Sequence, residues 1–170
     1  ATGSSLESLE GPRPEHGHEA SDWILRGIDL EVSPGRMVAL VGPSGAGKST
    51  LTSLVPRLYD VTEGRVLLDG HDVRDLTLDA VADAVGVVSQ DPHLFHDSIA
   101  ANLRYAKADA TDEELVRAAT AARIHDVIAR LPDGYETVVG ERGYRLSGGE
   151  KQRLSIARVL LKDPSIVVLD

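Results

Sequence analysis

At 170 residues the chain can bury the core of one ordinary domain, and 42% apolar with 26% charged residues is the balance of a globular protein. A net charge of −9 argues against a surface that coats nucleic acid, and the absence of cysteine excludes disulfides and thiolate metal sites. No apolar run approaches the ~18 residues that cross a bilayer, so work at a membrane would need an anchor supplied by another segment or chain.

Residues 1–21 are rich in Gly, Ser, Pro, Glu and His without apolar periodicity, and read as a flexible lead-in or linker. His16-Gly17-His18 could hold a metal weakly, but the stretch reads first as solvated linker. No targeting signal is visible. The chain begins at Ala1 and its only methionine is Met37, so it reads as a piece cut at both ends.

From Trp23 the pattern changes. Ile28, Leu30 and Val32 alternate with Asp29 and Glu31, which predicts a half-buried strand. Pro34-Gly35 predicts a turn. Met37 to Val41 is an unbroken apolar run, which predicts a strand buried on both faces. It leads into Gly42-Pro43-Ser44-Gly45-Ala46-Gly47-Lys48-Ser49-Thr50, which fits G-x-x-x-x-G-K-[ST]. Leu51, Leu54 and Val55 then give a helix with one apolar side. Strand, glycine loop and helix in that order make a phosphate cradle. The glycines let backbone N–H groups approach a triphosphate, and the helix start offers unpaired N–H groups with partial positive charge. Lys48 can reach the β- and γ-phosphates of ATP, and the Ser49 hydroxyl is placed to bind Mg²⁺.

Arg65 to Leu68 reads as a strand closed by an Asp69-Gly70 turn. Val85 to Val88 reads as another and leads to Gln90. Thr111-Asp112-Glu113-Glu114 is a capping box that opens a helix through Ala122. Ser147-Gly148-Gly149-Glu150 has the same form and opens an apolar helix that Asp163-Pro164 stops. Ile166 to Leu169 predicts a final buried strand ending in Asp170, the usual place for an acid that holds Mg²⁺ through water. Alternating strands and helices predict an α/β fold with parallel strands.

From about Trp23 to Asp170 the chain resembles the nucleotide-binding domain of an ATP-binding cassette (ABC) transporter of the exporter type. The resemblance rests on the Walker A loop 42–50, the glutamine loop Val87-Val88-Ser89-Gln90-Asp91 and the stretch Leu131 to Thr137. It rests further on the signature Leu146-Ser147-Gly148-Gly149-Glu150 with Lys151-Gln152-Arg153, and on the Walker B strand 166–170. It implies a P-loop NTPase core with a mainly parallel sheet and an antiparallel β element on the N-terminal side. A helical subdomain at roughly 91–150 would carry the signature, within a partial ABC ATPase domain at 22–170 that is incomplete at the C-terminus.

The resemblance also implies roles. Thr50 would bond the α-phosphate. Gln90 would bind Mg²⁺, sense the γ-phosphate and lie beside the membrane-domain contact. Ser147 and Gly149 would bind the γ-phosphate of ATP held by a second such domain, identical or different. Val139-Gly140-Glu141-Arg142-Gly143 resembles an exporter loop that touches the membrane domain, which would be fused upstream or separate. Mg-ATP hydrolysis at the cytoplasmic face of a membrane would then drive export, with Lys48, Gln90 and Asp170 as catalytic groups.

Three departures stand out. The aromatic that stacks on adenine belongs where Gly17 stands, and Trp23, though near, reads as part of the first strand. The strand that should carry that aromatic is not recognisable. A catalytic glutamate directly after Asp170 and a later switch histidine are not in the sequence, which predicts no hydrolysis by this chain alone. Glu150 belongs to the signature, and His71, His93, His96 and His125 match no switch position. Two other readings remain: a soluble ABC-type ATPase of DNA repair or chromosome structure, and a nucleotide-gated interaction module that never hydrolyses ATP.

Overall fold

The computed structural model describes residues 23–140 and 143–170. The lead-in read over 1–21, with His16 and His18, lies outside them, as do Glu141 and Arg142. The described residues divide into two units, one ending at Met37 and the other beginning at Val38.

In the first unit the Arg36 N–H donates to the Ser33 carbonyl at 3.2 Å, closing the predicted turn over Pro34-Gly35. The alternating strand does not form. Ile28, Leu30 and Val32 are 55%, 51% and 51% exposed, and residues 23–37 carry no ladder. Alternation selects a face, but a strand also needs a neighbouring backbone to take its N–H and C=O groups.

The second unit begins with another correction. Residues 38–41 carry no ladder, and Val41 is 88% exposed rather than buried. An apolar run fits a strand covered on both faces only where neighbours supply the pairing and the cover. The glycine loop then enters helix α1 (Lys48–Leu54). Strands β1 (Leu67–Leu68) and β2 (His71–Asp72) form an antiparallel hairpin. Asp69 and Gly70 both take positive φ there, as a two-residue hairpin requires. The strand predicted over 65–68 is thus shorter. Past one further bond, Val73 N–H to the Val66 carbonyl, the chain enters a 3₁₀ turn at Val73–Asp75.

Helix α2 (Leu78–Ala84), capped by Thr77, runs into β3 (Val85–Val88). Helices α3 (Ile99–Arg104), α4 (Asp112–Ala121), α5 (His125–Ile128) and α6 (Gly148–Lys162) follow before β4 (Ile166–Leu169). The two predicted capping boxes are present, at Thr111/Glu114 for α4 and Ser147/Glu150 for α6. Asp163 ends α6 in the left-handed region, at φ 53, just before Pro164.

β3 and β4 pair in parallel, with Val85 opposite Ile166 and Val88 opposite Leu169. Among the described residues this is the one parallel pair of strands, beside an isolated parallel bridge between Val139 and Tyr144, where the sequence predicted a mainly parallel sheet. Both faces of the pair have partial cover: Gly86 meets Val159 of α6 on one, and Val85, Ile166 and Val168 join Val81 on the other. α6 packs against β3, whereas Val167 and Leu169 are 51% and 68% exposed. The expected burial of 166–169 therefore fails at Val167 and Leu169, while Ile166 and Val168 are half-buried.

Two apolar cores hold the unit. The larger joins α3, α4, α5 and α6 through Ile99, Leu103, Leu115, Ile124, Ile128 and Leu154. The smaller centres on Val73, Val81 and Val85, with Val55 and Val168 against them. No helix among the described residues is long and apolar enough to cross a membrane.

Candidate functional site

The loop 42–47 folds as a cradle because its glycines adopt backbone that other residues resist: φ is 79 at Gly45 and 83 at Gly47. Gly47 occupies the cap position of α1 and has no side chain to bond the first-turn N–H groups. Pro43, Ser44 and Ala46 stand exposed along the loop, and the Ala46 N–H donates to the Pro43 carbonyl at 3.3 Å. Lys48 bends back over it. Its ammonium donates to the Gly42 carbonyl at 3.0 Å and the Pro43 carbonyl at 2.8 Å. An ammonium has three N–H donors. Two fix the charge above the loop, and the third remains for an anion seated there. Thr50, half-buried, follows in the first turn of α1.

Ser49 meets the far end of the chain. Its hydroxyl donates to Asp170 Oδ1 at 2.8 Å. Asp170 is held in turn by its N–H, which donates to the Val88 carbonyl at 3.0 Å. Because Val88 pairs with Leu169, residues 89–90 and Asp170 leave the same end of the parallel pair. Gln90 is exposed there. A hydroxyl and a carboxylate oxygen in contact form a hard, all-oxygen donor set. Mg²⁺ is held in this manner, by few protein ligands together with substrate phosphates. These residues fit that ion.

The signature is built separately. Leu146 is buried and anchors the segment. The Glu150 carboxylate accepts the Ser147 N–H at 2.7 Å and its hydroxyl at 2.8 Å. These bonds, the backbone one foremost, hold the Glu150 carboxyl below the usual carboxylate range. Gly148 and Gly149 are exposed, and a methyl group on Gly148 would meet nothing. Among the described residues no hydrogen bond joins the signature to the phosphate loop.

The exporter-like loop is described only in part. Val139 is buried, and its N–H donates to the Asp97 carbonyl at 2.9 Å. Gly140 lies against the backbone of His96. His125 pairs with the Tyr135 hydroxyl at 3.0 Å, as a packed helix residue does.

Two residues without any sequence signal stand out. Asn102 is 1% exposed, and its amide bonds the Phe95 N–H and the Phe95, Asp97 and Ser98 carbonyls. Arg158, on α6, donates to the Asn102 carbonyl and side chain and to the His93 carbonyl. Nothing in a lone asparagine or a helical arginine announces this.

A profile of the ABC transporter family matches residues 25–170. The mitochondrial iron-sulfur clusters transporter atm1 of Aspergillus fumigatus is 52% identical over 154 residues, which cover 91% of this chain and 21% of that protein. The putative multidrug export ATP-binding/permease protein YgaD of Bacillus subtilis is 55% identical over 147 residues, 86% of this chain and 25% of that one. Among solved structures, a bacterial Atm1-family ABC exporter with ATP bound superposes with a TM-score of 0.84 at 51% identity. That match covers 91% of this chain and 27% of the exporter. The chain thus spans about a quarter of the length of such relatives.

Proposed function

Because this chain belongs to the ABC transporter family, we propose that it is the ATP-binding domain of an exporter, which hydrolyses Mg-ATP in the full-length protein to drive export. The observation that carries the reading is the Ser49–Asp170 contact at 2.8 Å beside a glycine loop whose lysine is already fixed over it. Similarity to exporters favours transport over a soluble ATPase of DNA repair.

In this reading Gly42 to Thr50 wrap the triphosphate, and the free N–H of Lys48 points charge at the β- and γ-phosphates. Ser49, Asp170 and Gln90 would hold Mg²⁺, with Asp170 acting through water. Held there, the ion would supply neutralisation of the charge that develops on the transferring phosphoryl group. Ser147 and Gly149 would take the γ-phosphate of ATP bound to a second copy or a related domain. Two features support that assignment: the exposed glycines, and the lack, among the described residues, of any hydrogen bond to the chain's own loop. The membrane domain lies outside this sequence, and export would proceed from the cytoplasmic face.

The test is ATP turnover and transport by the full-length protein in vesicles, compared with Lys48→Ala. Loss of both in the variant is expected. Undiminished ATP turnover would mean that this loop does not hold the triphosphate.

A further inference from the structure

We propose that Arg158 is a positioning residue for Gln90: it ties down the downstream end of the four-residue segment 89–92. The inference rests on the reading above, in which Gln90 serves Mg-ATP.

The upstream end of that segment is fixed by the parallel pair, where Val88 lies opposite Leu169 and its carbonyl takes the Asp170 N–H at 3.0 Å. Downstream, the guanidinium of Arg158 reaches the His93 carbonyl at 2.8 Å. Between these anchors Pro92 is buried, but Ser89, Gln90 and Asp91 are exposed and are not held by packing. Ser89, Pro92 and His93 border a cavity of about 440 Å³ that also reaches Tyr105 and Arg158. A short segment beside a void keeps its shape through its ends, and the freedom of such a loop grows when one end is released.

Arg158 is suited to act as that end. Its Nε donates to the Asn102 carbonyl at 2.8 Å, one Nη to Asn102 Oδ1 at 2.5 Å and the other to His93. The planar guanidinium also lies over the Phe95 ring at 5.8 Å. A guanidinium holds three acceptors in one fixed fork, which an ammonium cannot reproduce. Asn102 in turn fastens residues 95–98 through four backbone bonds. The whole stretch that follows Gln90 is thus clasped onto α3 and α6. Arg158 forms no ion pair among the described residues, and burial works against its charge. A half-buried cation bonded to neutral acceptors is a costly way to fill space, and it is explained by the position that it holds.

The test uses the full-length protein and two variants, Arg158→Lys and Arg158→Met. Three quantities are read: kcat, KM for ATP, and the Mg²⁺ concentration that gives half-maximal turnover, each per nucleotide-binding molecule. Wild type against Lys48→Ala comes first. Turnover that does not depend on Lys48 would sink the underlying reading, whatever Arg158 does. Given Lys48-dependent turnover, Arg158→Lys should lower kcat roughly tenfold, the scale of one lost hydrogen bond to a charged group. It should raise the Mg²⁺ requirement and leave KM for ATP near wild type, because Lys48 and the loop are untouched. Arg158→Met should do the same more strongly. If Arg158→Met does not fold, Arg158→Lys, which keeps the charge and the stem, still decides. A normal kcat and Mg²⁺ response in Arg158→Lys overturns the proposal. So does a loss of activity that only tracks the loss of binding-competent protein.

Discussion

The Ser49 hydroxyl donates to the Asp170 carboxylate at 2.8 Å across 121 residues of chain. Ser49 lies in the first turn of α1, and Asp170 directly follows β4. Each is held from its own side, Ser49 by the helix and Asp170 by its N–H on the Val88 carbonyl. The contact therefore couples the glycine loop to the end of the parallel pair, where a divalent cation would draw on both oxygens in place of the hydrogen bond between them.

Ser49→Ala removes one of the two hard oxygens and leaves Lys48 in place. In the full-length protein, ATP affinity measured with excess Mg²⁺ should fall about tenfold, while affinity measured in chelator should change little. Calorimetry under both conditions checks this. Equal losses with and without Mg²⁺ would show that Ser49 acts on the nucleotide and not through the ion.

Lys48→Ala should do more. It removes the ammonium and both bonds that tie it to the Gly42 and Pro43 carbonyls. Losing one or more hydrogen bonds to a charged group predicts affinity down roughly 10- to 150-fold. An equilibrium titration with fluorescent ATP reads the change, and an affinity within twofold of wild type contradicts the role.

Acid should loosen the start of α6. Glu150 is held below its ordinary 4.5 by the Ser147 N–H and then the Ser147 hydroxyl. A depressed carboxyl binds its proton less readily in the folded chain than in the unfolded one. Its contribution is therefore complete above pH 4.5 and is lost as pH falls through the lower folded value. Asp72, brought to about 2 by its hydrogen bonds from Arg74, extends the same trend further into acid. Unfolding midpoints followed from neutral pH into this range should fall less steeply for Glu150→Gln than for wild type. Parallel curves would remove Glu150 from the account.

What the sequence made legible was local. Both capping boxes, the Asp69-Gly70 hairpin, β3, β4, the phosphate loop and the stop at Asp163 follow from residues within a few positions of one another. Pairing was not legible. The run at 38–41 looks like a core strand because its residues suit a pleated, covered surface. Whether a neighbour arrives to pair with it is not written in those residues. The clasp between Asn102 and Arg158 was invisible for the same reason: its partners stand 56 residues apart, and neither type is unusual at its place. The Ser49–Asp170 contact is longer in range still; each residue was legible as a Mg²⁺ group because it lies in its own recognisable motif, but the bond between them was not.

Gly140 should resist substitution. Its φ is 103, and an added Cβ would lie 2.9 Å from His96 Cα and 3.1 Å from His96 N. Both the backbone conformation and the contact oppose a side chain, and the obstacle is main chain that cannot swing away. Gly140→Ala should cost about 1–3 kcal/mol, read from chemical denaturation. A loss within a few tenths of a kcal/mol would mean that the 138–140 segment yields easily from the 95–97 backbone.

Gly149→Ala separates the two uses of the signature glycines. Gly149 sits in the first turn of α6, and a Cβ there would meet only Arg153 Nη1, at an ordinary 3.7 Å. Alanine is the better helix former by ~1 kcal/mol in a helix interior, so the free protein should hold its stability or gain slightly. If this turn receives the γ-phosphate of a second domain, the same methyl group stands in the approach of the phosphate to the N–H groups. ATP turnover by the full-length protein should then fall at least tenfold, on the scale of losing one stabilising contact in the transition state. ATP binding to the chain's own loop should be unchanged. Melting, nucleotide titration and steady-state hydrolysis on the same preparation give the three readings. Stability kept and turnover lost would assign the glycine to phosphate approach across an interface. Normal turnover would reduce residues 146–150 to a well-capped helix start.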